Sequence, residues 1–516
     1  MMALYTPDRA RRSLFHTVTF RAVAQVATVL GYVVLVRGLP KRDFGVYSLL
    51  YAFIPLISTV ASLGLEQTLR RFQPEFLRAG QAAAAAWLVR VVAVARLGMN
   101  LVVLAIILAA WNFAAPLFKL TPYRPEFVLF SVLLLLHFQL NILQLTLASH
   151  MLHRFSVGSA SVLSSAKLLG YGALFALHAM TLRNVILADT LAYALAYACM
   201  QVAHFRYCSV PKGTAPFRPS APERRRLFRY AFYNNFNDTG TLILSSQSDN
   251  FFIAAFLDPV AVGAYSFYVR LNEMASQLIP TRLFDNVVQP MFFAIPRDKA
   301  ETRIPRDFSF LLNANLLVHW PILAFALAYH AQIVTVIFGG KFIEYSWLLP
   351  LIAAFGMINV IANPVTLVAE YEERPGIILL SKVFAIYNVI ALLALLPLAG
   401  LYGAAFASGS AQALKNLFIW WHVRRRAIWN NARGALLSGA LLWGAAVALC
   451  CLLKALLVVP ALVQLIIGAA ICAAAALLYL RTPAISATDR ALLASVLGGR
   501  ESGILRRLGL HMPIVK

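Results

Sequence analysis

Residues 84–112 read AAAWLVRVVAVARLGMNLVVLAIILAAWN, and Arg90 and Arg96 are the only charged side chains in them. An α-helix needs about 20 mostly apolar residues to cross the hydrocarbon layer of a bilayer. The stretch is long enough to do so and shows no alternation that would make it a strand. Working outward toward the start, comparable runs fall at 14–37, 44–64, 126–150, 156–180 and 184–205. Beyond a basic break they fall at 230–256, 262–294, 308–330, 345–369, 376–398, 403–423, 434–458 and 461–480. The expectation is an all-α polytopic membrane protein with about fourteen transmembrane helices. The run at 262–294 is longer than one crossing needs and contains Pro280 and Pro290, so a kink or break is expected there. Composition agrees: of 516 residues 60% are hydrophobic and 13% charged, where a soluble domain carries about 25% charged residues.

The formal net charge of +24 is read as a topology signal, because Lys and Arg accumulate in loops that stay in the cytoplasm. An even number of spans places both termini on one side. With the termini cytoplasmic, that side collects Arg9, Arg11, Arg12, Arg70, Arg71, Arg78, Arg154, Arg206, the Arg224–Arg226 run, Arg297, Arg303, Arg306 and Arg424–Arg426. The other side keeps little beyond Arg37, Lys41, Arg42, Lys119, Arg124, Arg183 and Lys341. A bacterial inner-membrane location follows as an expectation, with the first apolar run retained as a span. No zinc-finger spacing or aromatic nucleic-acid signature accompanies the charge, so no nucleic-acid partner is expected. The five cysteines form no CxxC pair, and neither a disulfide framework nor a metal site follows.

The longest hydrophilic connection, Arg206 to Arg229, contains four prolines and reads as a solvated linker. The expected organisation is an N-lobe at 1–208 with six helices, a basic cytoplasmic linker at 209–229 and a C-lobe of six helices at 230–424. An extra helix pair at 425–482 and a basic cytoplasmic tail at 483–516 complete it, and 487–497 in the tail can form an amphipathic helix. An internal match supports two pseudo-symmetric lobes around a central cavity. A shift of 218 residues lays GLPKRDFGVYS (38–48) on FLDPVAVGAYS (256–266), so that Leu39, Gly45, Tyr47 and Ser48 match Leu257, Gly263, Tyr265 and Ser266. Both matches lie at the turn from a lobe's first helix into its second, the arrangement of parallel repeats.

Polar side chains inside a bilayer cost a few kcal/mol each, so they turn toward a cavity or a partner. In the first helix Thr17, Arg21, Gln25, Thr28 and Tyr32 share a face, and in the seventh Asn234, Asp238, Thr241, Ser245 and Asp249 do the same. These stripes are expected to face each other. Lys167 and Lys415 lie mid-span, where a side chain cannot easily reach the interface. Arg270 and Glu273 are spaced to face a cavity or to neutralise each other, and Arg21 to line the cavity or reach the cytoplasmic boundary. The candidate substrate-binding residues are Arg21, Gln25, Lys167, Arg270, Lys415, Asn234, Thr241 and Ser245. A mostly cationic interior suits a substrate carrying phosphate. No HExxH, GxSxG or GxxxxGK[ST] motif is present, and neither an enzyme nor a bound cofactor is expected.

Several motifs resemble those of a known family: FGVYS, SLGLEQTLRRF (62–72), SDNFFIAAFLDPVAVGAYS (248–266), IVTVIFGGKFIEYSWLLPLIAAFG (333–356) and PLAGLYGAAFASG (397–409). In order and spacing the chain resembles the polysaccharide flippases of the multidrug, oligosaccharidyl-lipid and polysaccharide exporter superfamily. The resemblance implies a flippase that moves a polyprenyl-pyrophosphate-linked oligosaccharide from the cytoplasmic to the periplasmic leaflet for O-antigen, capsule or exopolysaccharide synthesis. It implies two lobes rocking about a cationic cavity, with Arg21 and Arg270 in helices that carry arginines in similar proteins. Asp238, Asp249 or Glu273 would carry a coupling proton or sodium ion. Membrane lipids, a polysaccharide polymerase and glycosyltransferases are the implied partners. The competing readings are a cation-coupled drug or metabolite antiporter and a non-transporting scaffold of a polysaccharide synthesis complex.

Overall fold

A computed structural model describes residues 7–209, 217–243, 246–283, 292, 295, 297–372, 375–423 and 426–482. Among them every regular element is helical, as intramembrane backbone demands, since each N–H and C=O must find its partner within its own segment. In chain order these are α1 (Pro7–Gly38), α2 (Lys41–Ser62), α3 (Leu65–Arg78), α4 (Ala82–Ala109), α5 (Trp111–Leu117) and α6 (Arg124–Ser149). There follow α7 (His153–Ala176), α8 (Leu182–Tyr207), α9 (Ala221–Ile243), α10 (Ser246–Phe256), α11 (Pro259–Ser276) and α12 (Pro280–Leu283). The remainder are α13 (Ala300–Phe338), α14 (Leu348–Tyr371), α15 (Pro375–Leu380), α16 (Phe384–His422), α17 (Arg426–Leu456) and α18 (Ala461–Tyr479).

Among the described residues ten helical segments are long and apolar enough to cross a membrane, fewer than the fourteen expected. Part of the difference is arithmetic: Gly376–His422 is one segment of 47 residues, more than twice the length of one crossing. The chain turns within it at Gly400, whose φ of 56° and ψ of −135° suit glycine alone. The helices α7 and α9–α11 carry Lys, Ser, Asn and Asp among their apolar residues and fall outside the ten. Near Pro280 the chain breaks as anticipated: α11 stops at Ser276 and a new short helix starts at the proline.

Contacts group the chain into two compact units, residues 1–267 with 389–404, and residues 268–388 with 405–516. In the first unit α2 sits at the centre, with Phe44, Val46, Leu49, Leu50 and Ile57 fully buried. The two matched turns meet there. A Cβ at Gly45 would lie 1.7 Å from the carbonyl oxygen of Pro259, so only glycine admits the start of α11. At the other end of α2, Gly64 (φ 70°) abuts the carbonyl of Ala231.

The helix α3, which the span-by-span reading passes over as a loop, is amphipathic. Its Leu69, Phe72 and Phe76 cover Ala84, Ala85 and Leu88 of α4, with Phe217, Leu227 and Tyr230 packed against the same cluster, while Arg70, Arg71 and Arg78 stay exposed. The linker is therefore docked over its described part. Arg226 pairs with Glu75 at 3.0 Å and lies over the Phe72 ring, and Phe217 packs on Phe76 and Trp87.

In the second unit the final pair, α17 and α18, packs on α13 through Ala324, Trp443, Ala446, Cys472 and Ala475. Small residues permit the approach, as in membrane helix pairs generally: Gly439 faces Trp320 and Gly468 faces Tyr329, each leaving no room for a Cβ. Gly409 likewise admits the Phe355 ring. The tail at 483–516 lies outside the described residues.

Candidate functional site

Three helices of the first unit each present two polar side chains four residues apart, hence on one face. They are Tyr47 and Tyr51 on α2, Lys167 and Tyr171 on α7, and Asp189 and Tyr193 on α8. The six side chains converge. Asp189 has no exposure to solvent, and its carboxylate accepts from Tyr47 (2.9 Å), Tyr51 (2.5 Å) and Tyr171 (2.5 Å). The Lys167 ammonium stands 3.2 Å from the same carboxylate, donates to the Tyr51 hydroxyl at 2.8 Å and lies about 5 Å from the centres of the Tyr51 and Tyr193 rings. Tyr193 continues the network to His137 of α6, 3.2 Å away. Removing an isolated carboxylate from water is prohibitive unless it is paired and hydrogen-bonded. Here both conditions are met.

Lys167 is thus the intramembrane cation expected from the sequence, yet it arrives with a counter-charge. Asp189 and the tyrosines around it are not among the candidate residues read from the sequence. Asp189 lies near the beginning of its span, 22 positions from Lys167, and periodicity relates only residues of one helix.

A second buried ion pair joins Arg96, fully buried in α4, to Glu66 of α3 at 3.2 Å. Arg96 also donates to the carbonyl and hydroxyl oxygens of Ser58 and sits 4.6 Å over the Phe138 ring. This arrangement fixes the start of the amphipathic α3 against the transmembrane α2 and α4, a structural duty.

The remaining candidates separate into three groups. Arg270 pairs with Glu273 at 3.2 Å on the exposed face of α11, so the neutralising alternative is the one observed. Asp249 is fully buried and accepts a 2.7 Å hydrogen bond from Tyr265. Arg21 and Gln25 are half-buried on α1. Farther along that stripe the Thr28 hydroxyl donates to the Ala24 carbonyl and lies 3.0 Å from Ser164 on α7, and Tyr32 stacks on Phe267. Asn234, Asp238 and Thr241 fall within α9, with side chains outside the described set, and Ser245 lies outside the described residues.

Lys415 differs from the other cations. It lies within α16, is half-buried, and among the described residues makes no hydrogen bond or ion pair. An ammonium held within an apolar helix without a protein counter-charge is poised for an anion from outside the chain. Among the described residues no three His, Cys, Asp or Glu side chains group as metal ligands.

Comparison with known proteins places this geometry. The family described as "Polysaccharide biosynthesis protein" matches residues 11–296, more than half of the chain. No curated protein sequence matches it. Among solved structures, the lipid II flippase MurJ in an inward closed conformation superposes with a TM-score of 0.61 at 11% identity, over 91% of this chain and 98% of that one. An inward-facing multidrug resistance MATE family transporter of the MOP superfamily gives a TM-score of 0.61 at 12% identity, over 80% and 98%. The fold is similar to that of these two solved transporters, and the chain belongs to the polysaccharide biosynthesis protein family.

Proposed function

We propose that this protein is a flippase that carries a polyprenyl-pyrophosphate-linked oligosaccharide from the cytoplasmic to the periplasmic leaflet of a bacterial inner membrane during surface polysaccharide synthesis. Its termini lie in the cytoplasm and its two lobes alternate access to a cationic cavity. The observation that carries the reading is Lys415, a half-buried ammonium with no protein counter-charge among the described residues, in a chain whose family is described as polysaccharide biosynthesis proteins. An anionic head group supplies that counter-charge, while the polyprenyl tail stays in hydrocarbon and avoids desolvating the phosphates. The shared fold with a lipid II flippase supports the same reading. Arg21, half-buried on α1, is a further candidate contact for the head group. Arg270, neutralised by Glu273, contributes less.

The test is glycan export. Lys415→Ala abolishes surface polysaccharide while the protein remains in the membrane, and Lys415→Arg retains export; full export by Lys415→Ala overturns the reading. A multidrug transporter superposes with the same TM-score, so drug resistance conferred on a pump-deficient host is the measurement that separates the antiport reading from this one.

A further inference from the structure

We infer that Asp189 takes up a proton when an anionic head group draws Lys167 away from it, so that the α2–α7–α8 cluster links substrate binding to proton movement. The inference rests on the phosphate-bearing cargo proposed above, and it names a coupling residue other than Asp238, Asp249 and Glu273.

The asymmetry of the ion pair carries the argument. Lys167 keeps 17% of its side-chain surface accessible, whereas Asp189 keeps none. An anion arriving from outside therefore meets the lysine and never the aspartate. A phosphate group competes well for an ammonium, offering several charged oxygens and a charge of its own. Once Lys167 turns to the phosphate, Asp189 retains its neutral phenol donors Tyr47, Tyr51 and Tyr171. A buried carboxylate stripped of the cation paired with it among the described residues is stabilised by neutralisation. One proton from solvent then joins one carboxylate oxygen, no other bond is made or broken, and Asp189 is left neutral, so that the departing ammonium strands no buried charge.

The groups around Asp189 are Tyr47 and Tyr51 from α2, Lys167 and Tyr171 from α7, and Tyr193 from its own helix. One step farther out is His137 of α6, in contact with Tyr193. The phenols are neutral donors at physiological pH, so the competing acceptor for the proton is His137.

The experiment uses the full chain in nanodiscs and inorganic pyrophosphate as the probe. Calorimetric titration in buffers of different ionisation enthalpy counts the protons taken up per anion bound. The expected result is an uptake in the wild-type protein that exceeds that of Asp189→Asn by about one proton per anion, and weakened binding in Lys167→Gln. Equal uptake in wild type and Asp189→Asn overturns the inference and points to His137. A second measurement needs no anion. Infrared difference spectra of Lys167→Met at neutral pH are expected to show the C=O stretch of a buried protonated carboxyl that the wild type lacks and that Lys167→Met/Asp189→Asn loses. Absence of that band overturns the exchange between Asp189 and Lys167. Absence of pyrophosphate binding, with the band present, instead overturns the phosphate-bearing cargo, so the two failures are distinct.

Discussion

The two matched turns of this chain, at 38–48 and 256–266, solve one problem in two ways. Each carries a tyrosine at the same position, and each tyrosine donates to an aspartate with no solvent exposure: Tyr47 to Asp189 and Tyr265 to Asp249. At the first turn the carboxylate comes from α8, far along the sequence, and gathers Tyr51, Tyr171 and Lys167 around it. At the second it comes from α10, only 16 positions before its tyrosine. The first network therefore ties three helices together and includes a cation, while the Tyr265–Asp249 bond joins neighbouring helices of one hairpin. The two turns share the tyrosine and the buried acid as a pair of roles and not as a pair of positions.

Substitutions at the two turns test this contrast, in decreasing order of effect. Gly45→Ala forces a methyl group into the Pro259 carbonyl and is expected to cost about 3 kcal/mol or more, read as loss of folded protein by size exclusion in detergent. Gly98→Ala, where nothing lies within 4 Å of the added Cβ, is the neutral control. Asp189→Ala strands Lys167 and is expected to cost about 3–5 kcal/mol, against about 1–3 kcal/mol for Asp249→Ala; thermal unfolding of the purified variants ranks them, and equal losses would erase the distinction between the turns.

Among the tyrosines the order reverses. Tyr265→Phe is expected to cost about 1 kcal/mol and Tyr47→Phe less, because Asp189 keeps Tyr51, Tyr171 and Lys167. A smaller effect at Tyr265 than at Tyr47 would contradict the geometry.

The smallest effect is outside the spans. A hydrogen bond from Arg226 holds Glu75 below the usual carboxylate range. A group whose folded value is depressed stabilises the folded state above its unfolded value and loses that contribution as pH falls through the folded one. A Glu75→Gln/Arg226→Gln double-mutant cycle is expected to give a coupling below about 1 kcal/mol at neutral pH, reduced by solvent exposure and salt and vanishing in acid.

The sequence made some of this legible and hid the rest for identifiable reasons. Hydropathy exposes Lys167 because an ammonium inside an apolar run stands out, and helical periodicity exposes the Arg270–Glu273 pair because both lie on one turn. Neither signal relates Lys167 to Asp189, which meet only when α7 packs on α8. The amphipathic α3 carries its apolar face at Leu69, Phe72 and Phe76, a 3–4 spacing visible in the sequence, but a search for long apolar runs passes over a helix of 14 residues. On α1 the hydroxyl of Thr28 lies beside Ser164 of α7, a packed neighbour that satisfies a hydroxyl as well as a cavity does and that no periodicity within α1 reveals. At Gly400 the backbone angles suit glycine alone, and at Gly403 and Gly409 the close approach of Leu395 and Phe355 leaves no space for a side chain.

The most direct test of the central claim, that this chain flips a lipid-linked glycan through a site containing Lys415, is reconstitution. Proteoliposomes are loaded with a polyprenyl-pyrophosphate-linked oligosaccharide, and the glycan exposed on the outer leaflet is followed over time with an externally added glycosidase. The account predicts that the glycan initially protected inside becomes cleavable with the wild-type protein and stays protected with Lys415→Ala, as it does in protein-free liposomes. Continued protection with active, folded wild-type protein, or equal exposure by Lys415→Ala, would contradict it.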